Sequence, residues 1–463
     1  MRAMAEAEQG WYPDFVWRDG KFDAGVAFFA DASGAIRRFS SDTVDLARAA
    51  RLKSCAVLPG FVNAHSHAFQ RAIRGRVERR TGAGQDSFWT WREGMYRAAN
   101  RLTPDDVFDV ARMAFVEMLA AGITTVGEFH YLHHAPGGTR YDDPNLLALQ
   151  VIRAAQDAGL RIALLRSAYA RAGWQKEPDA RQRRFITEDY DEFLRHTEAL
   201  VNAAAKLSAR EFAWAGLAPH SIRAVPLAYL RECIAYARQH DFIIHMHLAE
   251  QPAELEACRA EYGCTPVELL DRNGLLDRRF TAVHATHTSN AEIAAIARAS
   301  ANVCACPTTE RNLGDGIAPA DCWAKAGIDV CFGSDSNVQI DMLEDARELE
   351  YHLRLEYGKR SMLEASCLLE HATRGGARSL GAPGSELLIG RPADFSVLDL
   401  NDLSLAGADI DSLPEQIVFA ARRAAIRDVY VAGRPVIKDR RHARQEEITA
   451  RFIEVQKRLW DSL

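Results

Sequence analysis

The sequence predicts an α/β protein: a (β/α)8 TIM-type barrel with a small β-sandwich built from both chain ends. Three observations predict it. Eight apolar, strand-like runs each lead into a long helical pattern rich in Ala, Leu, Glu and Arg. The two ends of the chain differ from this middle, consisting of short β-like runs broken by turns. A length of 463 residues exceeds one ordinary compact domain but suits a barrel carrying a smaller addition.

The N-terminal part of the sandwich is expected over residues 1–56. Its runs Asp14–Trp17, Val26–Phe29 and Ala35–Phe39 are separated by Asp-Gly and Ser-Gly turn signals. The barrel is expected over 57–385. Its strands are Ala56–Asn63, Ile123–Phe129, Arg161–Ala168, Phe212–Pro219, Phe242–Leu248, Phe280–His284, Asn302–Pro307 and Ile328–Asp335. Their near-continuous apolar character suits parallel strands buried on both faces. Residues 386–445 return to the sandwich through Ala393–Asp399 and Asp428–Val436. Neither end makes a good core alone, so the two are expected to share one. Residues 446–463 read as an amphipathic helix. The Arg- and Gly-rich stretch Gly75–Asp86 is expected to be a long loop overhanging the active site.

Composition narrows the function classes. The apolar fraction of 48 % is enough for a full core. The net charge is −6, with both signs mixed throughout, which argues against a nucleic-acid partner. Nine scattered cysteines suit a reducing compartment. Cys304 and Cys306, the closest pair, read as small apolar residues on a buried strand. The polar start of the chain lacks the apolar stretch of a secretory signal, and no run is long enough to span a bilayer. A cytoplasmic location without membrane contact is expected.

The chemistry lies at the ends of the expected strands. His65 and His67, at i and i+2, point to the same side of a strand and can face one cation. An HxH alone is also what two packed histidines look like. Three further strand ends carry matching residues: His245, His247 and Glu250 after the fifth, His284 and His287 after the sixth, and Asp335 after the eighth. Barrel active sites lie at such C-terminal ends. Unpartnered His and Asp are costly in a core, so four such ends together point to a metal site.

In these residues the chain resembles the amidohydrolase superfamily, over essentially its whole length. It is most similar to the branch of deaminases with one metal. The other main branch carries a carboxylated lysine on strand four, and Phe212–Pro219 contains no lysine. The resemblance implies one divalent metal ion, zinc first, held by His65, His67, His247, Asp335 and a water. The His-x-x-Glu spacing of that branch selects His247 as ligand and Glu250 as catalytic acid, leaving His245 structural. Zinc would lower the pKa of its water to ~7. His284 and Asp335 would take the water's proton, the hydroxide would attack a trigonal carbon, and Glu250 would protonate the leaving nitrogen.

Longer stretches narrow the substrate. Gly60–Ala72, Asp86–Glu93, Glu128–His134, Ala218–Arg223 and Cys306–Gly316 resemble the formimidoylglutamate deiminases, which act in histidine breakdown. The family converts N-formimino-L-glutamate and water to N-formyl-L-glutamate and ammonia. Gln70, Arg92, Tyr131 and Arg223 are the substrate-binding residues the resemblance implies, and His220 is a further contact. Two arginines suit a dicarboxylate, because a guanidinium grips a carboxylate with two parallel bonds. Plainer readings exist: Arg92 pairing with Glu93, Tyr131 packing on Trp89 or Trp91, and Gln70 merely solvated. Arg311 is a further anion candidate, and Thr308–Glu310 is read as shaping the pocket without chemistry. His130, His133 and His134 are read as a loop cluster without metal. The rivals are a related deaminase acting on guanine, an adenosine derivative or a triazine; release of formamide instead of ammonia; and a non-catalytic scaffold. A homodimer is expected by analogy with the superfamily.

Overall fold

The computed structural model describes residues 8–78, 88–207 and 211–461. The stretch expected to overhang the site falls largely on residues 79–87, outside the described residues.

Eight parallel strands form the barrel: Phe61–Ser66, Ile123–His130, Arg161–Ala168, Ala213–Pro219, Ile244–Leu248, Phe280–His284, Asn302–Ala305 and Val330–Phe332. They pair in sequence order. The ring is closed by a bridge between Ser66 and Asp335, with the His67 N–H donating to the Asp335 carbonyl and the Asp335 N–H to the His65 carbonyl, both at 2.9 Å. These two bonds tie the two ends that carry the chemistry. Almost every strand residue is buried, as expected where helices cover one face and packed side chains the other.

Helices follow each strand, and their starts are readable locally. Ser289 caps Asn290–Arg298 with Glu292 reaching back, and Thr103 with Asp106 does the same for Pro104–Ala120. The seventh strand stops at Ala305, because Pro307 lacks an N–H for the ladder and opens the helix Pro307–Leu313 instead.

Ala56–Asn63 divides between two elements. Ala50–Pro59 is a strand of the outer sheet, and the barrel strand starts at Phe61. Gly60 lies between them, where a Cβ would stand 2.1 Å from the Thr124 hydroxyl oxygen. The outer sheet has nine strands drawn from both chain ends, with Ala50–Pro59 pairing antiparallel to Phe395–Asp399. Its core joins Trp11, Phe28 and Val57 to Phe395 and Val397, so the two ends do share one core. A buried ion pair, Arg161 Nε to Asp394 Oδ2 at 2.5 Å, fastens this sheet to the third barrel strand. The terminal helix spans Gln445–Trp460 and buries Ile448, Phe452, Val455 and Leu459. The indole N–H of Trp460 and the Gln456 amide both donate to the Ala72 carbonyl, holding the turn Ala68–Ile73 that follows His67.

Among the described residues no helix is long and apolar enough to cross a membrane. All nine cysteines are free thiols, and the Cys304/Cys306 pair is fully buried on and just beyond a strand.

Candidate active site

His65 is the last residue but one of the first barrel strand and His67 follows that strand, their rings 4.7 Å apart and nearly perpendicular. His247 comes from the fifth strand and Asp335 from the end of the eighth. Nε2 of His65 lies 3.3 Å from Asp335 Oδ1, Nε2 of His67 lies 3.2 Å from the same oxygen, and the Nε2 atoms of His65 and His247 are 3.2 Å apart. Four donor atoms thus converge on one point.

The donor set fits a small divalent ion. Two nitrogen ligands about 2.0–2.1 Å from a tetrahedral zinc stand about 3.3 Å apart, which is the spacing found here. The tautomers suit it too. Nδ1 of His67 donates to the Phe129 carbonyl at 2.8 Å and Nδ1 of His247 to the His220 carbonyl at 2.9 Å, so each Nε2 presents its lone pair inward. Burial pushes the His65 imidazolium down to about 3, against the pull of Asp335, so the ring is neutral and able to ligate. Burial would raise the Asp335 carboxyl, but the His65 and His67 rings facing it hold it well below the usual carboxylate range.

His284 stands beside this shell. Its Nε2 is 3.8 Å from Glu250 Oε1 and 4.0 Å from Asp335 Oδ2, and its Nδ1 meets Glu310 Oε1 at 3.3 Å. Burial would lower the His284 imidazolium, but Glu250, Glu310 and Asp335 outweigh it and push it up to about 10. Burial raises the Glu250 carboxyl, with His284 opposing, which suits a group that must carry a proton. His284 and Asp335 have φ of +72° and +44°, a left-handed backbone that costs other residues than glycine of order 1 kcal/mol or more each. Strain of this kind is tolerated where side-chain aim matters.

A cavity of about 60 Å³ opens onto the cluster, lined by His67, Gln70, Arg92, Tyr131, His220, Arg223, Glu250 and Asp335 together with aromatic rings. All five residues expected to bind substrate are therefore brought together. Gln70 donates to the Tyr131 hydroxyl at 2.8 Å, and its own oxygen is buried without a partner. The Arg92 guanidinium lies over the Trp89 ring at 4.5 Å. Arg223 donates to the Tyr169 hydroxyl and the Ala172 carbonyl, both at 3.0 Å. Among the described residues neither guanidinium has a carboxylate partner, and Glu93 pairs with Arg181 instead. His220 packs its ring 4.7 Å from both Tyr169 and His247.

Other residues fall outside. His245 bonds the Ser379 carbonyl at 3.1 Å, and His287 the Asp315 carbonyl at 2.7 Å. His133 and His134 bond the carbonyls of Ser167 and Ile186. Arg311 is tied to Glu348 and Gln339, which removes it as an anion ligand. Glu310 does more than shape the pocket, since its carboxylate holds His284. Sequence reasoning also missed Tyr169, which carries no motif, and a buried network linking the first and eighth strands. In that network Asn63 donates to the Ser334 hydroxyl at 2.7 Å, and Asn337 to Ser66 and the His67 carbonyl. A cavity of about 1070 Å³, lined by Trp214, Phe242 and Arg279, opens at the opposite end of the strands and holds none of this chemistry.

Comparison with known proteins agrees with this geometry. Residues 56–436 match the model of the amidohydrolase family. The chain belongs to that family. Among its curated amidohydrolase relatives, formimidoylglutamate deiminase of Pseudomonas aeruginosa is 42% identical, covering 94% of this chain and 96% of that protein. A 5-methylthioadenosine/S-adenosylhomocysteine deaminase of Desulforudis audaxviator is 30% identical, covering 93% and 92%. The crystal structure of an amidohydrolase from Brucella melitensis superposes with a TM-score of 0.90 at 35% identity, covering 97% of this chain and 99% of that one.

Proposed function

We propose that this amidohydrolase hydrolyses N-formimino-L-glutamate to N-formyl-L-glutamate and ammonia. The observation that carries this reading is the charge division of the cavity. Arg92 and Arg223 line it and, among the described residues, have no carboxylate partner, while Glu250 and Asp335 line it close to His284. The substrate is divided in the same way, with two carboxylates on the glutamate skeleton and a formimino group that is cationic when protonated. The 42% identity to a formimidoylglutamate deiminase supports the same assignment. A purine base such as guanine carries no carboxylate for the two guanidiniums.

The shell of His65, His67, His247 and Asp335 suits one divalent ion, and its nitrogen-rich donor set favours zinc. Such an ion would lower the pKa of a bound water towards ~7 and polarise the carbon under attack. The remaining tasks belong to side chains. Asp335 receives the proton of the attacking water, and His284, held protonated among Glu250, Glu310 and Asp335, orients that water. Glu250 delivers a proton to the nitrogen that leaves. Arg92 and Arg223 grip the carboxylates through charge-assisted bonds. Tyr131, Gln70 and His220 fix the formimino end, the free oxygen of Gln70 accepting from its N–H. The same reading places the enzyme in histidine breakdown in the cytoplasm.

The test is ammonia release from N-formimino-L-glutamate and from guanine, side by side. Activity on guanine alone would sink the substrate assignment.

A further inference from the structure

Adding water to the formimino carbon gives a tetrahedral carbon bearing two nitrogens, one terminal and one attached to the glutamate skeleton. These amines are of similar basicity, so their own chemistry decides little. The nitrogen that receives the proton is the one that leaves. A donor held in one place therefore selects the product, and the hold on Glu250 becomes a matter of specificity.

Asp315 supplies that hold. It lies beyond the helix Pro307–Leu313, in a turn where Gly314 and Gly316 take φ of +73° and +126°. The residue is 3% exposed. Its backbone is clamped on both sides, its N–H donating to the Glu310 carbonyl at 2.9 Å and its carbonyl accepting from His287 at 2.7 Å. Its Oδ1 accepts from the side-chain amide of Gln251, the residue next to Glu250. Its Oδ2 is buried without a partner. One oxygen of Asp315, one of Glu250 and a nitrogen of His284 lie within 4.8 Å of one another. On the far side, Glu254 accepts from the Glu250 N–H at 3.2 Å.

We propose that Asp315 is a positioning residue that, through Gln251 and its own carboxyl group, keeps Glu250 aimed at the terminal nitrogen and so commits the reaction to ammonia over formamide. The inference rests on the deimination assigned above. In the step concerned, the Glu250 carboxyl gives its proton to the terminal amino group. The C–N bond breaks with its electron pair leaving on ammonia. The hydroxyl proton on the same carbon replaces the one Glu250 gave up, and the carbon becomes the formyl carbonyl. With the aim lost, the same proton reaches the inner nitrogen, and glutamate and formamide result.

The experiment compares metal-loaded wild type with Asp315→Asn, Asp315→Ala, Gln251→Ala and the double alanine variant, quantifying ammonia, formamide and bound metal. Asp315→Asn keeps volume and an acceptor for Gln251, and so guards against a folding defect. In Asp315→Ala, kcat is expected to fall about tenfold or more with KM within about threefold, because transition-state aim is lost and binding is not. The formamide-to-ammonia ratio is expected to rise by roughly tenfold. Gln251→Ala shifts the ratio the same way, and the double variant goes little beyond Asp315→Ala, since both act through one contact. An unchanged ratio in Asp315→Ala, while wild type releases ammonia, overturns the proposal alone. A second equivalent of metal in wild type that Asp315→Ala loses overturns it in favour of a cation at this cluster. Wild type inert towards N-formimino-L-glutamate removes the substrate assignment and this inference with it.

Discussion

At the scale of single residues the site separates binding from chemistry. On the proposed mechanism Glu250 touches the reaction, and it is not one of the four converging donors. Glu250→Gln is therefore expected to keep one equivalent of metal and lose at least about 100-fold in kcat, as removal of a general acid typically does; metal analysis beside steady-state kinetics checks both. Arg223 has the opposite role. Arg223→Met removes a charge-assisted contact of about 1.5–3 kcal/mol, so KM for N-formimino-L-glutamate should rise roughly 10- to 100-fold. An unchanged KM would return Arg223 to its loop bonds with Tyr169 and Ala172. His245 shows what a buried imidazole outside the metal shell does. Burial pushes it down to about 4, opposed by its bond to the Ser379 carbonyl. The folded form resists a proton that the unfolded chain accepts below ~6.5. Stability relative to a His245→Gln variant should thus fall as pH drops from about 6.5 towards about 4, by at most roughly 1.4 kcal/mol per unit, read from urea midpoints across that range.

At the scale of elements, the contact between the first and eighth strands decides whether a metal site exists. Gly333 lies there, and a Cβ on it would stand 2.6 Å from the His65 Cβ and 2.8 Å from the His65 carbonyl oxygen. No L side chain fits without moving His65. Gly333→Ala should weaken metal binding by about 10- to 100-fold, the usual cost of losing support behind a ligand. Competition with a chromophoric chelator gives the value, and wild-type affinity in the variant would show that the strands slide apart without cost. The same closeness explains the Asn63–Ser334 and Asn337–Ser66 bonds, which hold the two strands in one register.

At the scale of the whole molecule, the proposed mechanism links metal, barrel closure and activity. The four converging donors come from the first, fifth and eighth strands, so an ion held by them would bind the folded chain and have little to hold in the unfolded one. A strong chelator should abolish ammonia release, and one equivalent of zinc should restore it. At free zinc about 1,000-fold above its Kd the folded state gains about 4 kcal/mol, which a thermal scan with and without zinc measures. Equal melting temperatures would break the link.

The barrel was legible because its signal is local. Apolar runs followed by helical patterns locate strands from the side chains alone, and even Arg161–Ala168, with little alternation to mark it, is found at those bounds. The boundary at Gly60 was not legible, since Ala50–Pro59 and Phe61–Ser66 are equally apolar and differ only in which sheet they pair with. The sequence by itself determined which residue types end the strands: His65, His67, His247, His284 and Asp335, with Glu250 three residues beyond a ligand. Only the tertiary structure decided which of them meet. His245 and His247 are one step apart in a motif, yet one turns to the Ser379 carbonyl and the other to His65. Arg311 and Arg223 look alike as anion ligands until Glu348 claims the first. Glu310 and Asp315 lay inside a recognised stretch without a role, because a carboxylate gains one only from the groups that face it. Spacing is a property of one segment. Convergence, burial and partner choice are set by elements far apart in the chain, and these gave the site its chemistry.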